Sequence, residues 1–489
     1  MKNKIFSITN AMLWVALIST ALLIFAACQS DSHDYEEMHD YTEMESLIEY
    51  EIEEDEEEEE YEAAPEFNSS VPLDVTAMLF EQLNAIFDED NGQLWGFPLH
   101  VPFVIADPVT RHAVANMPAS GIFTRQGDVY VGILPAHVPI SNTVRAFGGR
   151  LWGMAIWNEE LFPEMDFLSL MVHEAFHVWQ NQVVSGRPLG SFSRIDGEPL
   201  HMLEADARIS VLLEINALLM ALRSDGEARQ AAIHDALSIR AYRRERFENV
   251  AAIENSLEIN EGLATYTEQL VVGIHELLNQ REHNLSNHTS STSFNRWFAY
   301  FTGAMYALLL DIAGADWQND LSYTTCLGGL LKEALGITHL TPFDRIDLEL
   351  YGYAKIAPYQ RAWAANFGNQ LQSALYALVE QPTIRLDRDP VIVWSESIFN
   401  HHHIPEEILL INGSVTVRSA DWHLEVLNGY VGLTFIFPRK IRLPACLDIE
   451  IDEGAMRAVS PNWILEITND ALQIVPSGLN DGIIRIVRR

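Results

Sequence analysis

The stretch from Leu168 to Trp179 constrains the folding of this chain more than any other. Leu168, Leu170, Met171, Val172, Ala175, Phe176, Val178 and Trp179 leave almost no polar side on a helix, yet His173, Glu174 and His177 stand among them. A helix that is apolar nearly all round is a buried one. Two imidazoles and a carboxylate in such a helix are costly to desolvate unless a metal or a set of polar partners receives them. Residues four apart on an α-helix are offset by about 40° and one turn, so both rings project from one face and can hold one ion, with Glu174 beside them. Zinc takes neutral imidazole nitrogens, keeps a position open for water, and acts with a neighbouring carboxylate that accepts the water's proton. The competing structural reading is two packed histidines and a helix glutamate.

A zinc ion that works on a substrate needs a third protein ligand, and Glu258-Ile259-Asn260-Glu261-Gly262-Leu263-Ala264-Thr265-Tyr266 offers one. His173-Glu174-Ala175-Phe176-His177 together with Glu261-Gly262-Leu263-Ala264-Thr265-Tyr266 resembles the gluzincin metallopeptidases. In that family HExxH on one helix is completed by a Glu from a later helix. The resemblance spans about 100 residues, from the strand before His173 to Tyr266. It implies His173, His177 and Glu261 as zinc ligands, Glu174 as general base, and a zincin-like sheet whose edge strand borders the cleft, the place given to Leu151–Trp157. Glu204, in Leu203-Glu204-Ala205-Asp206, is a rival third ligand, and the separation of 84 positions from His177 to Glu261 leaves it open. A third His close behind the helix is excluded, because Val178 to Leu200 contains none.

Other groups have two readings each. Glu204 and Asp206 can orient a ligand His through hydrogen bonds, or face solvent as helix carboxylates. Arg240, Arg243, Arg244 and Arg246 can bind a substrate carboxylate or pair with acidic side chains of the same bundle. Tyr266 is a candidate oxyanion stabiliser, although five residues after Glu261 it lies about 140° away around the helix. His401-His402-His403 reads either as a metal tract or as an exposed turn.

Charge and hydropathy divide the rest of the chain of 489 residues. Lys2 and Lys4, an apolar run from Ala11 to Ala27 and then Cys28 read as an export signal over residues 1–27. Phe25-Ala26-Ala27-Cys28 resembles a bacterial lipobox, which implies lipidation of Cys28 and an extracytoplasmic protein anchored to a membrane. An uncleaved anchor and a plain secretory signal are the alternatives. Cys326 and Cys446 are then the remaining cysteines, with no pairing indicated. From Gln29 to Glu66 there are 19 Asp and Glu and no Lys or Arg, half of the net charge of -38. Self-repulsion makes 28–70 an extended acidic tether, with weak calcium binding as the functional alternative. No basic stripe exists anywhere, which argues against nucleic acid as a partner.

Periodicity then predicts an α+β fold. Val75–Leu83 fits a helix, and Val101–Ile105, Val129–Ile133 and Leu151–Trp157 read as short strands. From Asp166 to Glu380 the spacing is helical. After Gln381-Pro382, short strands at close intervals suggest a β-sandwich or barrel of about 100 residues. With the fold that the gluzincin resemblance implies, the organisation expected is a zincin-like metallohydrolase domain over 71–382, a small sheet plus a mainly helical bundle, followed by an all-β accessory domain over 383–489. The function expected is zinc-dependent hydrolysis of a peptide or protein substrate. The rivals are a non-catalytic surface-binding lipoprotein on the same scaffold and a metallohydrolase of a non-peptide amide or ester.

Overall fold

A computed structural model describes residues 68–157, 167–185, 199–272, 289, 292 and 294–380, and the strands, with breaks, between 383 and 488. The export signal with Cys28, and the acidic tether as far as residue 67, lie outside the described residues. The chain is mixed α+β, with a helical region and a separate β-sheet near the C-terminus. Among the described residues no helix is long and apolar enough to cross a membrane.

Helix α1 (Leu73–Asp90) buries Leu79, Phe80, Leu83 and Phe87, one stripe at helical spacing. It lies against a six-stranded sheet made of β1 (Phe103–Ala106), β2 (His112–Ala115), β3 (Phe123–Gln126), β4 (Val129–Ile133), β5 (Thr143–Phe147) and β6 (Arg150–Ile156). The strand order is β3-β4-β2-β1-β6-β5, with β1 and β6 parallel and every other pair antiparallel. Alternation along the strands separates two faces. Phe103, Ile105, Val131 and Ala155 pack toward α1 and α2 (Phe167–Val183), whereas Val104, Ala106, Trp152 and Met154 form the opposite core with Phe123 and Phe147.

Leu151–Trp157, expected at the sheet edge, forms β6, an interior strand between β1 and β5, and β5 is the edge strand on that side. The displaced edge follows from Gly148-Gly149, whose φ values of 59° and 78° suit a two-residue turn that folds Thr143–Phe147 back along β6.

The helical region contains α3 (Ala205–Arg223), α4 (Gly226–Arg246), α5 (Val250–Leu257), a π turn over Glu258–Gly262, α6 (Leu263–Val272), α7 (Phe294–Ile312), α8 (Leu327–Ala334) and α9 (Tyr353–Leu375). Their shared core includes Phe176 from α2, Leu213 and Leu218 from α3, Ile239 from α4, Leu263 from α6, and Phe298 and Tyr306 from α7. Gly262 in the π turn meets Gly303 in α7 so closely that a Cβ on Gly303 would lie 2.8 Å from the Gly262 Cα and 2.7 Å from the Glu258 carbonyl oxygen. Backbone approach of that kind is open only to glycine.

Strands begin again with β7 (Thr383–Asp387), and the later part of this region adds β12 (Lys440–Pro444), β13 (Glu450–Ile451), β14 (Arg457–Val459) and β15 (Trp463–Ile467). The sequence reads Ile408–Ile411 and Ser414–Val417 as separate strands, and likewise Leu424–Leu427 and Gly432–Phe437. The structure instead has two long strands, β10 (Glu407–Arg418) and β11 (Trp422–Thr434). Asn412-Gly413 and Asn428-Gly429 have hairpin-turn chemistry, but Gly413 faces Gly429 within the ladder, at register shifts flanking Gly413. A bulge bends the pair there, and each strand changes neighbour across it. β10 pairs with β9 (Asn400–Ile404) on one side of the bend and β8 (Val393–Ser395) on the other. The described strands form one branched nine-stranded sheet and a separate pair, β16 (Leu472–Pro476) with β17 (Ile484–Arg488). His401–His403 sit in β9. Ile411 joins Trp363, Phe367, Ala374 and Leu378 in a cluster against α9.

Candidate metal centre

Helix α2 carries His173, Glu174 and His177. It can lie close on the sheet because β6 presents Gly153, where a Cβ would sit 2.6 Å from the Phe103 ring and 3.4 Å from the Glu174 carbonyl oxygen. The two imidazoles point to one place. His173 Nε2 and His177 Nε2 are 3.2 Å apart, and each is 3.6 Å from Glu261 Oε2. Among the described residues these three make up the one group of His, Cys, Asp and Glu side chains able to hold a metal ion. His173 is 6% exposed and Glu261 7%, so the cluster is nearly closed to solvent.

The outer nitrogens decide which atoms face inward. Gln180 Nε2 donates to two backbone carbonyls, Ile259 at 2.9 Å and Asn260 at 2.8 Å, which fixes the amide so that its oxygen faces His177. His177 Nδ1 must then be the donor in its 2.8 Å contact with Gln180 Oε1. His173 Nδ1 similarly meets the Glu268 carboxylate at 3.2 Å. With both Nδ1 atoms carrying hydrogen, the neutral rings aim two Nε2 lone pairs and one carboxylate oxygen at a common point. Such an arrangement repels itself unless a cation stands between the donors.

Zinc passes a test of size and donor type. Bond lengths of about 2.0–2.1 Å at tetrahedral angles separate neighbouring donors by about 3.3–3.4 Å, close to the 3.2 and 3.6 Å observed. A proton on His173 can take the same place. Burial pulls the His173 imidazolium down, but hydrogen bonds to Glu261 and Glu268 outweigh it and push its pKa from 6.5 up to about 10. The stability gained from that proton is complete below about pH 6.5 and is lost as pH rises through about 10. Burial also raises Glu261, but hydrogen bonds from His173 and His177 prevail and hold it well below the usual carboxylate range.

Glu174 differs from the other carboxylates of the site. Burial is the main influence on it and raises its pKa despite the nearby His177 and His173. Its Oε2 is buried with no hydrogen-bond partner among the described residues. Arg145, on the edge strand β5, adds a positive charge felt by Glu174.

Several residues that sequence reasoning missed complete the site. Asn260 Nδ2 and Arg296 donate to Glu261 Oε1 at 3.0 and 3.3 Å, leaving Oε2 turned to the histidines. Tyr300 stacks on His173 with ring centres 5.4 Å apart and hydrogen-bonds Glu261; burial and that negative charge raise its hydroxyl well above the ordinary value. Spacing held a signal for two of them. Gln180 stands three residues after His177, and Glu268 seven after Glu261, nearly two turns. Tyr300 and Arg296 come from α7, and no local pattern connects that helix to His173.

The structure does not bring the remaining candidates to the cluster. Glu204 is exposed at the start of α3, and Asp206 pairs with Arg246 at 2.9 Å near the surface. Tyr266 is buried on another side of α6, donating to Asp311 at 2.7 Å beside Trp317. Its angular offset from Glu261 decides the matter. Arg240, Arg243 and Arg244 follow the bundle-pairing reading. Arg240 meets Glu214 at 3.0 Å and also Glu258, Arg243 meets Glu214 and Glu254, and Arg244 meets Glu254 at 2.8 Å. Glu258 opens the π turn that presents Glu261, so this network lies directly behind the site. Cys326 is a free thiol, and Cys446 lies outside the described residues.

Comparison with protein-family models, with curated proteins and with solved structures finds no match to this chain.

Proposed function

We propose that the chain is a zinc-dependent hydrolase of the gluzincin kind, acting on peptides or proteins outside the cytoplasm. The observation that carries this reading is the convergence of two Nε2 lone pairs and one carboxylate oxygen at zinc-like separations, with both Nδ1 atoms committed elsewhere. His173, His177 and Glu261 would hold the ion. Zinc supplies Lewis acidity, polarising a carbonyl and making water ionise near neutral pH. Glu174 accepts the water's proton on its free oxygen and returns it to the leaving amine, a task suited to a carboxylate whose pKa is raised. Arg145 limits the negative charge around Glu174. Tyr300 and Arg296 keep Glu261 turned to the histidines.

The sheet supports a peptide substrate over a small ester. β5 pairs with β6 alone among the described strands, so its outer side has main-chain groups to offer an extended peptide next to α2. On this reading the six-stranded sheet and α2 are the sheet and active helix of a zincin, with β5 as its cleft strand.

Metal analysis of the purified full chain should find about one zinc per molecule. Fluorescein-labelled casein should be cleaved, and cleavage should stop on chelation. Glu261→Ala should weaken zinc binding by more than the roughly 10–100-fold that loss of an outer hydrogen bond costs. A wild-type chain that takes up no zinc from buffered solution sinks the proposal.

Loading must also displace the proton that the metal-free site holds on His173. Near neutral pH, zinc binding should release about one proton per chain. Calorimetric titration in buffers of different ionisation enthalpy measures this directly, and zero release would contradict the assignment.

A further inference from the structure

We propose that Gln180 is a positioning residue that sets the register between the helix carrying His177 and the π turn carrying Glu261. This rests on the zinc reading above. His177 and Glu261 are far apart in sequence and belong to different elements, so their alignment to within a few tenths of an ångström needs a direct tie. Gln180 supplies it from a buried position, 4% exposed. Its oxygen accepts from His177 Nδ1 at 2.8 Å, while its nitrogen donates to Ile259 at 2.9 Å and Asn260 at 2.8 Å, the two residues immediately before Glu261.

The π turn explains why a side chain is needed there. A single π turn inserts a residue into the helix and interrupts the regular i→i+4 ladder, and buried carbonyls near such an interruption need donors from elsewhere. One amide therefore satisfies the irregular backbone and fixes the ring of a ligand. Neither a carboxylate nor an ammonium can do both, because the first only accepts and the second only donates.

That asymmetry provides the test. Wild type, Gln180→Glu and Gln180→Met are prepared as full chains and stripped of metal, and zinc affinity is measured by competition with a chromophoric chelator. The thermal midpoint of each metal-free form is recorded alongside. Gln180→Glu keeps the acceptor for His177 but loses both donors to the π turn. If Gln180 ties the two elements together, both variants should bind zinc about 10–100-fold more weakly than wild type, the range for loss of an outer-shell partner. Both should keep native helicity without metal.

Wild-type affinity in Gln180→Glu would overturn the proposal, because orientation of His177 alone would then account for the residue. Loss of folding in both metal-free variants would overturn it too, in favour of a purely structural role. Failure of wild type to bind zinc is a separate outcome, which removes the metal reading and this inference together.

Discussion

Replacing Glu174 with Gln is expected to lower kcat by about 10²–10⁴-fold while the protein keeps its full complement of zinc. Glutamine preserves the length and shape of the side chain but cannot take a proton at the position of Oε2. That oxygen is buried and has no hydrogen-bond partner among the described residues. The three atoms that converge on the proposed ion belong to His173, His177 and Glu261, so the metal should be indifferent to the change. Casein cleavage and metal content measured on the same preparation separate the two effects. A variant that cleaves at the wild-type rate removes Glu174 from the chemistry, and one that loses its zinc makes Glu174 a ligand.

The second large effect is on stability. Glu254→Ala should destabilise the fold by roughly 3–5 kcal/mol, because removing one member of a buried ion pair leaves the other charge uncompensated. Here two guanidinium groups, Arg243 and Arg244, lose their shared carboxylate, and the side chains of Arg243 and Glu254 are fully buried. Burial alone would raise the Glu254 carboxyl, but Arg243 and the hydrogen bond from His201 hold it well below the usual range. Its contribution is therefore present above about pH 4.5 and is lost as pH falls toward the lower native value. Urea unfolding across that interval should show a steeper acid loss in wild type than in Glu254→Ala. Equal midpoints for the two proteins near neutral pH would contradict this account.

Arg240 joins this network to Glu258, and Glu258 also accepts from Thr302 at 2.7 Å, which fixes the start of the π turn. The network thus supports the strand of contacts that ends at Glu261. Its arginines Arg240, Arg243 and Arg244, read from sequence as either substrate ligands or structural partners, are committed to the buried carboxylates Glu214, Glu254 and Glu258.

The local features of this protein were legible in its sequence. The four-residue spacing of His173 and His177 in an apolar run placed both rings on one face, because helical geometry allows nothing else. The switch from period two to helical spacing near Asp166, and back after Gln381, marked where strands give way to helices and return. Gly148-Gly149 carries the signal for β5, and Gln180, three residues after His177, that for an orienting partner. What the sequence could not determine was which distant elements meet. Glu261 and Glu204 were both chemically suitable, and the difference between them is that Gln180, His173 and His177 of α2 meet the π turn whereas Glu204 is exposed. The outer partners Tyr300 and Arg296, the interior position of β6 and the bulge that merges four expected strands into two all depend on contacts between segments far apart in the chain. Spacing encodes the face of a helix, while the packing of one element on another is settled only when the whole core closes.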